Sequence, residues 1–215
     1  MIQLNNPTPP RLPDPNPAGV DTGFFAGFSN TLRIYFNRLA AVLTTLFGPN
    51  GGAGLQMPHA MLMSDEDQAN ASTTASNQLT FNQPVITQGI EVRNTNEIHF
   101  TQTGQYLVNF RLQVSNASNS VQEFEVWAGF NGTDYPLSNS RFDLPARKSS
   151  DVFGHANPSI SGIFTVDNPD EDYLTIKWFA TSTDVFLEHY AAGVTPDRPE
   201  IPSVIMTINF VSRLP

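Results

Sequence analysis

Residues Gly104–Val114 read GQYLVNFRLQV, and they place Tyr106, Val108, Phe110, Leu112 and Val114 on one side of an extended chain. Asn109, Arg111 and Gln113 fall on the other side. Strict alternation of this kind predicts an antiparallel strand with one face on a core and one in water. The same texture recurs downstream. Phe124, Val126, Ala128 and Phe130 alternate with Glu123, Glu125 and Trp127, and Leu174, Ile176, Trp178 and Ala180 alternate with Thr175, Lys177 and Phe179.

Working outward, short runs are predicted at 78–81, 89–93, 97–102, 105–115, 122–130, 137–144, 160–166, 173–181, 185–190 and 203–212. They are separated by turn chemistry such as Thr103-Gly104, Asn131-Gly132 and Asp167-Asn168-Pro169-Asp170. The last run, Val204–Val211, is apolar on both faces near its start, which predicts a central strand. Eight to ten strands in residues 78–215 predict an all-β, antiparallel two-sheet sandwich of jelly-roll type.

The first part of the chain has a different character. Met1–Pro17 carries prolines at 7, 9, 10, 13, 15 and 17, which exclude helix and central strand and predict an extended arm over residues 1–28. Such an arm is either a solvated tail or a strap along a neighbouring subunit. Residues 29–47, SNTLRIYFNRLAAVLTTLF, predict a helix with Ser29 or Asn30 as cap and Gly48-Pro49 as stop. Leu32, Phe36, Leu39, Leu43 and Leu46 form a heptad seam, and Ile34, Tyr35, Ala40, Val42 and Phe47 make most of the remaining surface apolar. The seam fits either packing on its own domain or a short parallel bundle, a trimer or docking element. Residues 48–77 are predicted to be a connector.

The 215 residues contain no cysteine, so disulfide frameworks, thiolate nucleophiles and cysteine metal sites are excluded. Eleven Lys+Arg against 20 Asp+Glu give a net charge of −9, which argues against phosphate-mediated nucleic-acid binding. The charge sits almost wholly downstream: Arg11, Arg33 and Arg38 outweigh Asp14 and Asp21 in residues 1–64. Residues 1–10 lack the basic start and apolar core of a signal peptide, and no apolar run is long enough for a membrane span, so the expectation is a chain made in a cytoplasm without membrane contact.

No catalytic, cofactor or metal motif is legible. His59, His99, His155 and His189 lack ligand spacing, and Asp65-Glu66-Asp67 and the Asp167–Asp172 cluster lack the pattern of a calcium loop. Asn70, Asn116 and Asn131 match the glycosylation acceptor pattern by composition. The expectation is a non-enzymatic protein with no cofactor. Trp127, on the polar side of its strand, and Phe179 beside it are candidate subunit contacts or a sugar-stacking surface.

Taken in order, Ile98-His99-Phe100, Gly104–Phe110, Val126-Trp127, Asn131-Gly132, Ser138 with Ser140-Arg141, Leu174–Trp178 and Pro199–Ile205 resemble a jelly-roll module of tailed-bacteriophage structural proteins. That module is similar to the trimeric jelly rolls of the tumour necrosis factor and complement type, and the likeness spans residues 57–211. The resemblance implies a homotrimer, a virion component assembled in the host cytoplasm, and no catalysis. Within that class a capsid decoration or cement protein is expected, docked on a major capsid or tail protein through residues 1–47. The alternative is a tail fibre or receptor-binding knob for a host surface glycan.

Overall fold

A computed structural model describes residues 22–47 and 57–214. The chain divides into two compact units, Met1–Gln56 and Met57–Pro215.

In the first unit the described structure is one helix, α1 (Thr22–Phe47). It begins at Thr22 rather than at Ser29, so the predicted 1–28 arm is shortened. The apolar spacing explains the earlier start: Phe25 lies one heptad before Leu32 and continues the seam, which outweighs the helix-weakening Gly23 and Gly27. Ser29 is therefore an interior position, and inside the same turn Thr31 donates back to the Gly27 carbonyl at 2.9 Å. The rest of the expected arm, residues 1–21, and the expected Gly48-Pro49 stop lie outside the described residues.

The second unit is an antiparallel sandwich. Its strands begin with β1 (His59–Ser64), β2 (Gln68–Ala69), β3 (Asn77–Gln78), β4 (Gln83–Gln88), β5 (Ile90–Arg93) and β6 (Glu97–Phe100). There follow β7 (Gly104–Leu112), β8 (Val114–Asn116), β9 (Gln122–Phe130), β10 (Thr133–Asp134), β11 (Ser140–Leu144) and β12 (Gly154–Ala156). The last are β13 (Ser159–Val166), β14 (Tyr173–Ala180), β15 (Val185–Leu187), β16 (Gly193–Val194), β17 (Asp197–Arg198) and β18 (Val204–Ser212).

One sheet runs β13-β7-β18-β1-β4 and faces a larger one running β10-β9-β14-β6-β5, to which β11 and β3 add. A third sheet, β12-β8-β15-β2, is made of strands that bend away from the main pair; β8, for instance, follows β7 after one residue, Gln113. This bending splits the predicted 105–115 run into β7 and β8, while β1, β2, β4, β10, β12, β16 and β17 lie where no hydrophobic run was predicted. The same bending is why Val114, which continues the alternation of β7, belongs to a different sheet.

The predicted connector 48–77 also differs. Within it, β1 alternates buried Ala60, Leu62 and Ser64 with half-buried Met61 and Met63, and it pairs with both β18 and β4. Its short HAMLMS run has too few β-branched residues to stand out by propensity, and burial against two neighbours decides it.

The core lies between the two main sheets. Tyr106, Val108 and Leu112 from β7, Phe124 and Val126 from β9, Leu174, Ile176 and Trp178 from β14, and Met206 and Ile208 from β18 are all fully enclosed. Each large side chain of this kind contributes about 1.5–3 kcal/mol on leaving water. The predicted centrality of Val204–Val211 holds in the sheet order, where β18 lies between β7 and β1.

Candidate functional site

Three surfaces carry what the fold leaves unspent, and the first is α1. None of its described side chains is buried: Phe25 is 59%, Phe36 57%, Ile34 44% and Leu43 43% exposed. Leu32 and Leu39 are half-covered, and Leu46 lies outside the described side chains. The seam residues lie on one heptad stripe, flanked by Phe28, Tyr35 and Val42 on one side and by Ala26 and Ala40 on the other. Water is a poor partner for such a surface.

The second surface is the outer face of the five-stranded sheet. Met61 stands opposite Ile86, and Met63 opposite Ile205. Met63 and Ile205, with Val85 and Pro202, line a cavity of about 400 Å³ rimmed by Asp65 and Glu200.

The outer face of the larger sheet is chemically different. Trp127 is opposite Lys177 and Phe179 opposite Glu125, so the two aromatic candidates share one face. That face is stitched by polar pairs: Arg141 binds Glu123, Asn139 donates to Glu125 at 2.8 Å, and Lys177 and Trp127 both reach Asp134. The indole Nε1 of Trp127 is thereby engaged at 2.9 Å. On its other side Trp127 lines a cleft of about 270 Å³ with Tyr135, Leu137, Phe164 and the serines 138, 140 and 161.

A fourth feature, a polar cluster, had no signal in the sequence. Ser115 on β8, His155 on β12, and Glu188 and Tyr190 following β15 converge at the third sheet. Register brings His155 beside Ser115, but the four residues are scattered along 76 positions of chain, so no local motif announces them. Ser115 and Tyr190 both donate to Glu188 Oε2, the latter at 2.6 Å. Both hydroxyl protons are thus committed. His155 Nδ1, 2.9 Å from Ser115 Oγ and 3.2 Å from Tyr190 Oη, must be the donor to those oxygens, and Nε2 is left as the ring's remaining polar atom. Burial first, and then the Glu188 carboxylate, push the Tyr190 phenol up to about 12. Ser115 is enclosed, so it serves as a bridge rather than a nucleophile.

The acidic clusters are absorbed into turns. Asp65 accepts from Asn82 at 2.5 Å and Gln83 at 2.9 Å, and Asp67 accepts the His189 amide at 2.7 Å. Burial pushes the Asp172 carboxyl up, but the amides of Asn168 and Asp167 and the side chain of Asn131 outweigh it and hold the group below the usual carboxylate range. The amides of Asn70 and Asn116 point inward to main-chain carbonyls, and Asn131 bonds Asp172 and Tyr173, so all three acceptor-pattern asparagines are already engaged. Among the described residues no group of three or more His, Asp or Glu is placed to hold a metal ion. No described helix is long and apolar enough to cross a membrane.

The class these features define is an antiparallel jelly-roll sandwich with a separate apolar helix. No family model matches the chain, and no curated protein matches it. Similar solved structures include the crystal structure of murine APRIL at pH 5.0, with 13% identity and a TM-score of 0.44, covering 72% of this chain and 99% of that one. At those values the likeness bears on neither function nor assembly.

Proposed function

We propose that this chain is a non-enzymatic structural protein of a phage virion that works as a homotrimer, most simply a capsid decoration or cement protein. The observation that carries self-association is the exposed part of the α1 seam, at Phe36 and Leu43. A helix that leaves seam residues such as Phe36 and Leu43 largely exposed lowers its free energy by packing on copies of itself. A wide stripe, with Phe28, Tyr35 and Val42 beside the seam, suits more than two strands, because flanking positions are then buried as well.

The virion reading is supported by the ordered motifs in residues 57–211 and by the contrast between a near-neutral N-terminal part and an acidic β unit. Several copies joined at one base engage a repeating lattice at several points, and multivalency then makes a weak single contact durable. Residues 1–47 would supply that docking, to a major capsid or tail protein.

Native mass spectrometry of the full chain tests the first step. A threefold mass that collapses in Leu39→Asp is expected; a monomer at all concentrations would end the reading. Imaging of particles with and without residues 1–47 tests the second, with loss of decoration expected on deletion. The second reading, a knob for host glycan, is favoured by the cleft at Trp127 and Tyr135, where aromatic rings sit beside serine hydroxyls. Glycan binding together with intact particle stability in the protein's absence would favour it over the first.

A further inference from the structure

The five-stranded sheet has two edges, β13 and β4, and they are protected very differently. Strand β4 carries Pro84, and its pairing with β1 is broken by a register shift between Met61 and Leu62. Proline and bulges are the usual devices that stop an edge from recruiting another strand. Strand β13 reads SISGIFTV: eight residues, no proline, no charge, and unbroken register with β7 from Ser159 to Val166.

Its free groups can be assigned. Leu112 donates to the Pro158 carbonyl at 3.0 Å, so the pair 158/112 is hydrogen-bonded. Antiparallel alternation then turns the main-chain groups of Ile160, Gly162, Phe164 and Val166 toward β7. Those of Ser159, Ser161, Ile163 and Thr165 face outward, and the side chains of these four are exposed.

We propose that β13 is a homotypic docking edge: it pairs antiparallel with β13 of a second copy, about a twofold axis through Gly162, joining two five-stranded sheets into one. In that register Ser159 meets Thr165 and Ser161 meets Ile163, so every outward-facing residue meets another and about eight main-chain hydrogen bonds form. Ile160 falls opposite Phe164 of the second copy, and Gly162 meets itself. The occupant is a second copy because the edge is its own complement. It is also a neutral strand on a chain of net charge −9, where two like-charged molecules can approach without placing carboxylates against each other.

A strand pair about 27 Å long, at ~3.4 Å per residue, covers less than the ~1,200 Å² of a standalone interface. Contact at β13 is therefore weak alone and gains strength between particles already joined through α1, a step that rests on the self-association proposed above.

The natural absence of cysteine makes the test clean. In the full chain, Gly162→Cys is expected to give a disulfide-linked pair on mild oxidation, since 162 faces 162 in a non-hydrogen-bonded position where main chains approach closely. Thr165→Cys is expected to stay unlinked. On raising the protein concentration, the amides of Ser159, Ser161, Ile163 and Thr165 should exchange at least about tenfold more slowly, and Ile163→Lys should abolish this slowing. In Leu39→Asp the pair should survive at high concentration, which separates failure of this edge from failure of the helix. Linkage through Thr165→Cys but not Gly162→Cys, or outward amides indifferent to concentration, would overturn the proposal.

Discussion

Lys177 and Trp127 face each other across β14 and β9, and both donate to the same oxygen of Asp134, at 2.7 and 2.9 Å. The hydrogen bond from Lys177, followed by that from Trp127, holds the Asp134 carboxyl below the usual carboxylate range. With its folded value depressed, the group's stabilisation is present above the unfolded pKa of ~3.9 and is lost as pH falls through the lower folded value. Because Asp134 is 63% exposed, water and salt screen the contact. Asp134→Asn should therefore cost under about 1 kcal/mol at neutral pH. Denaturation midpoints of mutant and parent should converge below pH ~4, and Trp127 emission should shift at neutral pH.

Tyr106 and Tyr190 both have phenols pushed up to about 12, Tyr106 by burial and Tyr190 by burial and then by Glu188. A raised folded value stabilises below the unfolded pKa, so these two groups favour the fold up to pH ~10. That contribution fades between pH ~10 and about 12. Alkaline absorbance titration should show late-titrating tyrosines that become normal on unfolding, one fewer in Tyr190→Phe. Removing the Tyr190 hydroxyl also strips Glu188 of a donor, for a loss of about 1–3 kcal/mol at pH 7.

Gly154, on β12, has the carbonyl of Pro145 where a side chain would begin. The obstacle is main chain, which cannot swing aside as a side chain would. Gly154→Ala should displace β12 from β8 and with it His155 from Ser115, costing roughly 1–3 kcal/mol by the overpacking scale. Chemical denaturation measures the loss, and the Tyr190 titration reports whether the polar cluster is disturbed.

Trp178 is fully enclosed and tilts against Phe124 at a centroid distance of 5.8 Å, while its buried Nε1 has no hydrogen-bond partner among the described residues. Trp178→Phe removes that unpaired donor while leaving a smaller ring, so the two effects oppose each other. Trp178→Ala removes the packing altogether and should cost about 3–5 kcal/mol. Thermal unfolding should rank parent and Phe variant close together and the Ala variant far below; equal losses would contradict this account of the core.

The alternating runs of β7, β9 and β14 state their buried faces in advance, because side-chain direction in a strand depends only on residue parity. Tyr106, Phe124 and Trp178 are core in the sequence and core in the fold. The heptad of Leu32, Phe36, Leu39 and Leu43 is equally legible, since helical phase is also local. Where runs bend from one sheet to another, as at Gln113 between β7 and β8, parity continues while the partner changes, and only long-range pairing decides the outcome. The strand at His59–Ser64 was settled in the same way, by neighbours rather than by propensity, whereas the start of α1 at Thr22 follows the local heptad through Phe25.

The candidate surfaces divide along that line. Composition and spacing by themselves determined an acidic, cysteine-free, all-β chain with an apolar helix, because those are sums and periods along one dimension. Which face of Trp127 meets Lys177, which edge of a sheet is left without proline or charge, and how Ser115, His155, Glu188 and Tyr190 share their protons were decided only by the tertiary structure. Those are distances between residues far apart in sequence, and no local pattern encodes them.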